Sequence, residues 1–279
     1  MLSGFACLFI LISLLSSVYA NNVADEALNP ADNVKLPIIM YHSFLKNVSR
    51  QNDYILSPLN FENDLKYLKE NGYKAISLSE LVAFVYDNAP LPEKPVMITF
   101  DDGFMNNLTY ALPLLKQYDM KAVVSVVGEY SENYSDNEDH NLNYAYLTWD
   151  EISEIASSGC VEIGNHSFSM HRCNGRKGVA RKKGETLDVY QHILEEDISK
   201  LQEILFEKCG LKPMVFTYPF GLINKSSYDV IKRMGFKASF SCKERVNVIT
   251  HDPECLYYLG RFNRSGNIGT DKFMKKILA

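Results

Sequence analysis

Asp101 and Asp102 are adjacent carboxylates at the end of an apolar run, Val96-Met97-Ile98-Thr99-Phe100, and Gly103 follows them. β-Branched and apolar residues entered from Pro95 and left at a glycine predict a buried strand with both acids at its C-terminal tip. A strand sends successive side chains to opposite sides, which predicts different jobs for the two acids. One can bind a metal while the other faces a substrate or an attacking water. Two neighbouring anions resist joint ionisation, and a bound cation relieves that. Taken alone, Asp-Asp-Gly is equally the polar turn that ends a strand. A second stretch, Gly164-Asn165-His166-Ser167-Phe168-Ser169-Met170-His171, adds two imidazoles five residues apart. Two histidines and one carboxylate with an open position are the donor set of a catalytic zinc-type site. A metal so held lowers the pKa of its bound water to about 7 and polarises a carbonyl. A third histidine, His42, stands at the end of another apolar run, Leu36 to Tyr41.

The elements that must position these groups alternate along the chain. Leu36–His42 reads as the first strand. Ser57-Pro58 opens a helix with Phe61, Leu65 and Leu68 on one face, and Asn71-Gly72 ends it. Tyr73–Leu78 is a strand, Ser79 caps a second helix, and Pro95 leads into the Asp-Asp strand. A helix over residues 106–118, bent near Pro113, precedes an apolar strand over Lys121–Val127. Residues 131–146 are acidic and lack a period, which predicts a surface loop. Thr148 to Glu151 is a capping-box pattern, and Val161–Gly164 is the strand that delivers His166. A basic loop over 172–187 leads to a long amphipathic helix over 188–209. Met214–Tyr218 is a strand ending in Pro219-Phe220-Gly221. A helix over 224–234, strands over Phe236–Phe240 and Leu256–Phe262, and a helix over 270–278 complete the chain.

Strand-helix alternation without a repeat predicts an α/β fold, a single (β/α) barrel with a parallel sheet. His42, Asp101, Asp102, His166 and Pro219-Phe220-Gly221 then all fall at C-terminal ends of strands. Those ends form the active face of a β/α barrel.

The totals fit a globular chain: 279 residues, 46% hydrophobic, 23% charged, net charge −5. That balance carries no nucleic-acid footprint, and basic clusters such as Arg181-Lys182-Lys183 read as solvated loop. Residues 1–20 have an apolar core, Leu8–Leu15, and the small-residue ending Val18-Tyr19-Ala20. This predicts a signal peptide cleaved after Ala20, with 21–33 as linker. No Lys or Arg precedes the apolar core, so an uncleaved N-terminal anchor is the alternative. Once the leader is cleaved, no stable membrane span is expected. Cys160, Cys173, Cys209, Cys242 and Cys255 are odd in number and lack CxxC spacing, which is neither a disulfide framework nor a zinc knuckle.

Together, Thr99-Phe100-Asp101-Asp102-Gly103, the His166 to His171 stretch and Thr217-Tyr218-Pro219-Phe220-Gly221 resemble, in order, the three leading motifs of the polysaccharide deacetylases. These are the NodB-homology enzymes of carbohydrate esterase family four. The resemblance runs from about residue 36 to the end, within a domain bounded at 34–279. It is nearest a branch that opens on Met40-Tyr41-His42, spaces its histidines as here, and carries Arg261-Phe262-Asn263-Arg264 near the end, a branch resembling the poly-N-acetylglucosamine deacetylases.

The resemblance implies a distorted seven-stranded barrel. It implies Asp101 as general base, with Asp102, His166 and His171 as ligands of a divalent metal: zinc first, cobalt or nickel alternatively. The Phe220 N–H, where relatives usually have Tyr, would bind the oxyanion. Two departures stand out. No Arg opens the third motif, and the late Leu-x-x-His motif that supplies the acid in most members is not evident. By the branch pattern His42 takes the acid role, and Arg261 or Arg264 takes the place of the missing Arg. The implied protein is a secreted or envelope-associated monomer that removes N-acetyl groups from an N-acetylglucosamine polymer. The alternatives are an O-acetyl esterase acting on xylan-type glycans and a non-catalytic glycan-binding protein.

Overall fold

The structure, a computed structural model, describes residues 33–137 and 139–278. The leader expected over 1–20, and the linker up to residue 32, lie outside the described residues. The strands are β1 Val34–Leu36, β2 Ile38–Tyr41, β3 Ser43–Phe44, β4 Ile55–Leu56, β5 Lys74–Ala75, β6 Pro95–Phe100, β7 Ala122–Val126, β8 Val161–Asn165, β9 Val215–Thr217, β10 Ala238–Phe240, β11 Asn247–Ile249 and β12 Phe262–Asn263. The α-helices are α1 Pro58–Glu70, α2 Leu78–Asp87, α3 Leu112–Tyr118, α4 Gly128–Asn137, α5 Trp149–Ala156, α6 Leu187–Cys209, α7 Lys225–Arg233 and α8 Thr270–Ile277.

Seven strands form a curled parallel sheet in the order β10-β9-β8-β7-β6-β2-β12, and β5 pairs with β6 off this path. Its two edges meet in one stretch of chain. Leu259 bridges Phe240 in parallel, and four residues on, Asn263 of β12 pairs with Met40 of β2. Arg261 lies between these two contacts.

The alternation of each strand sorts two cores. Ile39, Ile98, Phe100, Val124 and Ile163 face outward and pack on helix residues such as Phe61, Leu115 and Leu201. Ile38, Met97, Val123, Val215, Ala238 and Phe240 fill the inside, with Leu78 and Leu81 of α2 beneath them. Glu162 of β8 closes that lower end by accepting from the backbone N–H groups of Leu78 (2.7 Å) and Ser79 (3.2 Å). Carboxylates are favoured at a helix N-terminus, where orphan N–H groups converge.

Some boundaries differ from the sequence expectation. The first strand breaks at Pro37, which lacks the ladder N–H: β1 pairs antiparallel with β11, and only β2 joins the main sheet. The 73–78 strand shortens to β5, and the 256–262 strand is a 3-10 turn, Pro253–Leu256, followed by β12. The 106–118 helix starts as a π-helix over Asn107–Ala111, upstream of Pro113. The start of the surface loop expected over 131–146 belongs instead to α4, as far as Asn137. Its polar sequence hid the helix, but Tyr130 and Tyr134 both pack on Tyr146.

Candidate active site

Inside the sheet β6, β7 and β9 turn polar towards their C-terminal ends: Met97 gives way to Thr99 and then Asp101, Val123 to Ser125, and Val215 to Thr217. Gly164 of β8 leaves room for this. A Cβ there would lie 2.6 Å from Ser125 Oγ, and across the gap Ser125 and Thr217 hydroxyls meet at 2.6 Å.

Asp101 continues the inward column. Strand alternation alone would send Asp102 outward with Phe100, but Asp102 has φ 72° and Gly103 φ 73°. This left-handed turn swings Asp102 back over the mouth of the barrel. Ser167 (φ 72°) and Phe220 (φ 57°) adopt the same region in the next two site loops. Such backbone costs about 1–3 kcal/mol per non-glycine residue and concentrates where a site needs it.

Arg261 approaches Asp101 from the seam. Its Nη1 and Nη2 donate to Asp101 Oδ1 (2.6 Å) and Oδ2 (2.8 Å), and its Nε donates to the Ser241 carbonyl (3.0 Å). Burial would push the Asp101 carboxyl up. The Arg261 charge and its two bonds outweigh this and hold the group well below the usual carboxylate range. Arg264 goes elsewhere: it pairs with Asp64 of α1 through Nε (2.7 Å) and Nη2 (3.0 Å). Of the two arginines singled out in the sequence, Arg261 is the one beside the Asp-Asp tip.

Asp102, His166 and His171 converge, with one donor atom of each lying within 4.8 Å of the others. Their tautomers follow from their outer partners. His166 Nδ1 is 2.7 Å from the Thr217 carbonyl, which only accepts, so Nδ1 carries the proton. The Tyr130 hydroxyl donates to the His171 carbonyl at 3.0 Å and so accepts from His171 Nδ1 at 3.3 Å. Both Nε2 lone pairs are left facing Asp102 Oδ1, at 3.5 Å from His166 and 3.2 Å from His171. Asp102 Oδ1 is itself buried with no hydrogen-bond partner. Three electron-pair donors, an orphaned carboxylate oxygen and hydrogen-bonded outer partners fit a divalent cation.

Burial lowers the His171 pKa, with His166 adding to it. Burial also opposes charge on His166, but Asp102 and Asp101 reverse this and raise its pKa. His42 follows β2 at the same mouth. Asn107 Nδ2 holds its carbonyl at 2.8 Å, and its Nδ1 is buried without a partner. Burial lowers its pKa despite the nearby charges of Asp102 and Asp101.

Phe220 occupies the Pro219–Gly221 turn after β9, its ring 4.5 Å from that of His171. Gly178 of the basic loop backs this turn, and a Cβ there would lie 2.8 Å from the Pro219 carbonyl oxygen. His251, the late histidine, donates through Nδ1 to the Phe84 carbonyl (3.1 Å) and packs against the Phe84 ring. Sequence reading missed Tyr130, Thr217, Ser241 and Asn107 as supports. All four supports involve a backbone carbonyl, which side-chain identity does not reveal. Tyr130 sits on the helix that polarity concealed.

A parallel α/β barrel with an Asp-His-His donor set and an Arg-paired acid at its strand tips defines a class of hydrolase-like sites. The family profile described as polysaccharide deacetylase matches residues 88–239, more than half of the chain, and the chain belongs to that family. It is 28% identical over 194 residues to the poly-beta-1,6-N-acetyl-D-glucosamine N-deacetylase of Escherichia coli K12, covering 63% of this chain and 29% of that protein. It is 27% identical over 206 residues to the protein of the same name from Staphylococcus aureus MRSA252, covering 72% of this chain and 66% of that one. The chain thus spans under a third of the first relative and about two thirds of the second. Among solved structures, a de-N-acetylase from Aggregatibacter actinomycetemcomitans matches with TM-score 0.74 and 22% identity, covering 88% of this chain and 100% of that one. That likeness supports the barrel fold.

Proposed function

We propose that the protein is an exported, metal-dependent deacetylase that removes N-acetyl groups from an N-acetylglucosamine-containing polysaccharide. The observation that carries this is the convergence of two Nε2 lone pairs on the orphaned Asp102 oxygen, beside an acid fixed by Arg261. Asp102, His166 and His171 would hold the cation, with zinc favoured by the donor set and cobalt or nickel also suited. When bound, the cation acidifies water and polarises the scissile carbonyl.

Asp101 remains ionised at neutral pH and takes the proton of the attacking water. Its low pKa makes it a weak base, so its task requires an acidified water. The Phe220 N–H, exposed by a left-handed turn, donates to the developing oxyanion. His42 gives a proton to the leaving amine. Acetate and a free amino sugar result.

Export rests on the leader-like residues 1–20. No helix of the described residues is long and apolar enough to cross a membrane. The names of the two relatives support an N-acetylglucosamine polymer as substrate. Residues 34–279 would form one deacetylase domain, active as a monomer.

The test is acetate release by metal-loaded protein from N-acetylglucosamine oligomers and from acetylated xylan. Release from the oligomers alone, lost with Asp102→Ala, is the expected outcome. Release from xylan alone would make the protein an esterase. Bound metal with no release from either would refute the deacetylase reading.

A further inference from the structure

Tyr54 is an aromatic ring with no core to fill. Its side chain is 61% exposed, yet its ring stands edge-on to that of His42, 5.0 Å between centroids at 77°. Among the described residues its hydroxyl has no hydrogen-bond partner. The loop that presents it is fixed from several sides. Asn52 Oδ1 accepts from the backbone N–H of Tyr54 (2.8 Å) and of Ile55 (3.0 Å). The Tyr54 carbonyl accepts from Ser43 N–H at 3.1 Å, one residue after His42. Asn263 Nδ2 donates to the Asp53 carbonyl (2.7 Å), and Ser265 Oγ to Asp53 Oδ1 (2.9 Å). An exposed ring on a tethered loop is held ready for something outside the chain, because ordering it gains no core burial.

We propose that Tyr54 is the platform for the sugar ring adjoining the one whose acetamide is cleaved, so that the site reads a polymer rather than a single acetylated sugar. This rests on the deacetylase reading above and adds a subsite to it. A pyranose with equatorial substituents shows an apolar face of axial C–H groups and a rim of hydroxyls. A tyrosine offers the complement, a broad apolar face with one polar end, at a small entropic cost because it has only two rotatable torsions. The ring touches His42, so a sugar lying on it is one unit from the reacting centre. Phe220, 37% exposed and tilted against His171, follows β9, four strands along the sheet from the β2 that carries His42. The chain would cross the site between these two rings.

The experiment compares wild type, Tyr54→Ala and Tyr54→Trp on N-acetylglucosamine dimer, tetramer and hexamer. Acetate release gives kcat and KM, and calorimetry on chelator-treated protein gives hexamer binding without turnover. Wild-type kcat/KM should rise with chain length. Tyr54→Ala should flatten that rise, with KM for the hexamer and its dissociation constant both up by roughly tenfold, about what one stacked ring supplies, and with kcat little changed. Tyr54→Trp should keep the rise. Equal hexamer binding with and without the ring would overturn the subsite. So would a fall in kcat at constant KM, which would mean that Tyr54 acts through His42. Because binding is read apart from turnover, absence of acetate release by wild type would count against the deacetylase reading, and the calorimetry would still decide the subsite.

Discussion

Arg261 grips Asp101 through two parallel bonds of 2.6 and 2.8 Å, with the arginine wholly out of water and the aspartate side chain 4% exposed. Removing one partner of such a pair leaves a buried charge and costs about 3–5 kcal/mol. Arg261→Met should therefore lower the melting temperature at neutral pH. The sign of its pH dependence follows from linkage. Wild-type Asp101 has a depressed folded pKa, so its contribution is complete above the unfolded value of about 3.9 and is lost only as pH falls through the lower folded value. Without Arg261, burial alone raises the carboxyl, and the variant loses stability as pH rises. Thermal melts should show the gap between the two proteins widening from about pH 4 to about pH 8.

Arg264 is equally buried but bonds to Asp64, which also accepts from Tyr41 (3.1 Å) and Thr270 (2.6 Å). This network ties α8 to α1. Arg264→Met should destabilise by a similar few kcal/mol. At a temperature where the variant is folded, its metal stoichiometry and kcat should stay near wild type, whereas Arg261→Met should lose turnover. Loss of turnover in a folded Arg264→Met would contradict this division of labour.

Asp101→Asn keeps an acceptor for Arg261 and removes the proposed base. Turnover on N-acetylglucosamine oligomers should fall by about 10²–10⁴-fold. Metal content should persist, because Asp101 is outside the donor set. Activity retained in the variant would remove Asp101 from the base role.

The strand-tip placement of His42, the two aspartates, His166 and Phe220 was legible because β-strand patterning is local and each tip carries an abrupt polar residue. What was not legible was direction. Alternation put Asp102 on the helix side, and only the left-handed backbone at Asp102 and Gly103 brings it to the mouth. Arg261 and Arg264 read alike in sequence. Their fates part because the seam carries Arg261 into the barrel, while Arg264 faces Asp64 of α1, 200 residues away in sequence. Helix α4 was hidden because its stability comes from tyrosine contacts made beyond its own segment.

Gly178 and Gly221 test the turn that presents the Phe220 N–H. Both have positive φ, 53° and 62°, and a Cβ would meet the Pro219 carbonyl oxygen at 2.8 Å or Cys242 Cβ at 2.7 Å. Gly178→Ala pushes on the turn from the basic loop, so it should lower kcat more than metal affinity. Kinetics beside metal titration would separate the two effects, and unchanged kcat would show that the turn tolerates displacement.

Tyr130 fixes the His171 tautomer by accepting from Nδ1 while donating to the same residue's carbonyl. Tyr130→Phe removes that acceptor and keeps the ring on Tyr146. Loss of such an outer partner weakens metal binding by about 10–100-fold. The apparent affinity should also fall with falling pH in both proteins, because the metal must displace a proton from His166, whose pKa is raised. Competition titration with a chelating dye at several pH values reads both effects without turnover. A variant that binds metal as tightly as wild type, at every pH, would mean that Tyr130 serves only the packing of α4 and that the His171 tautomer is set without it.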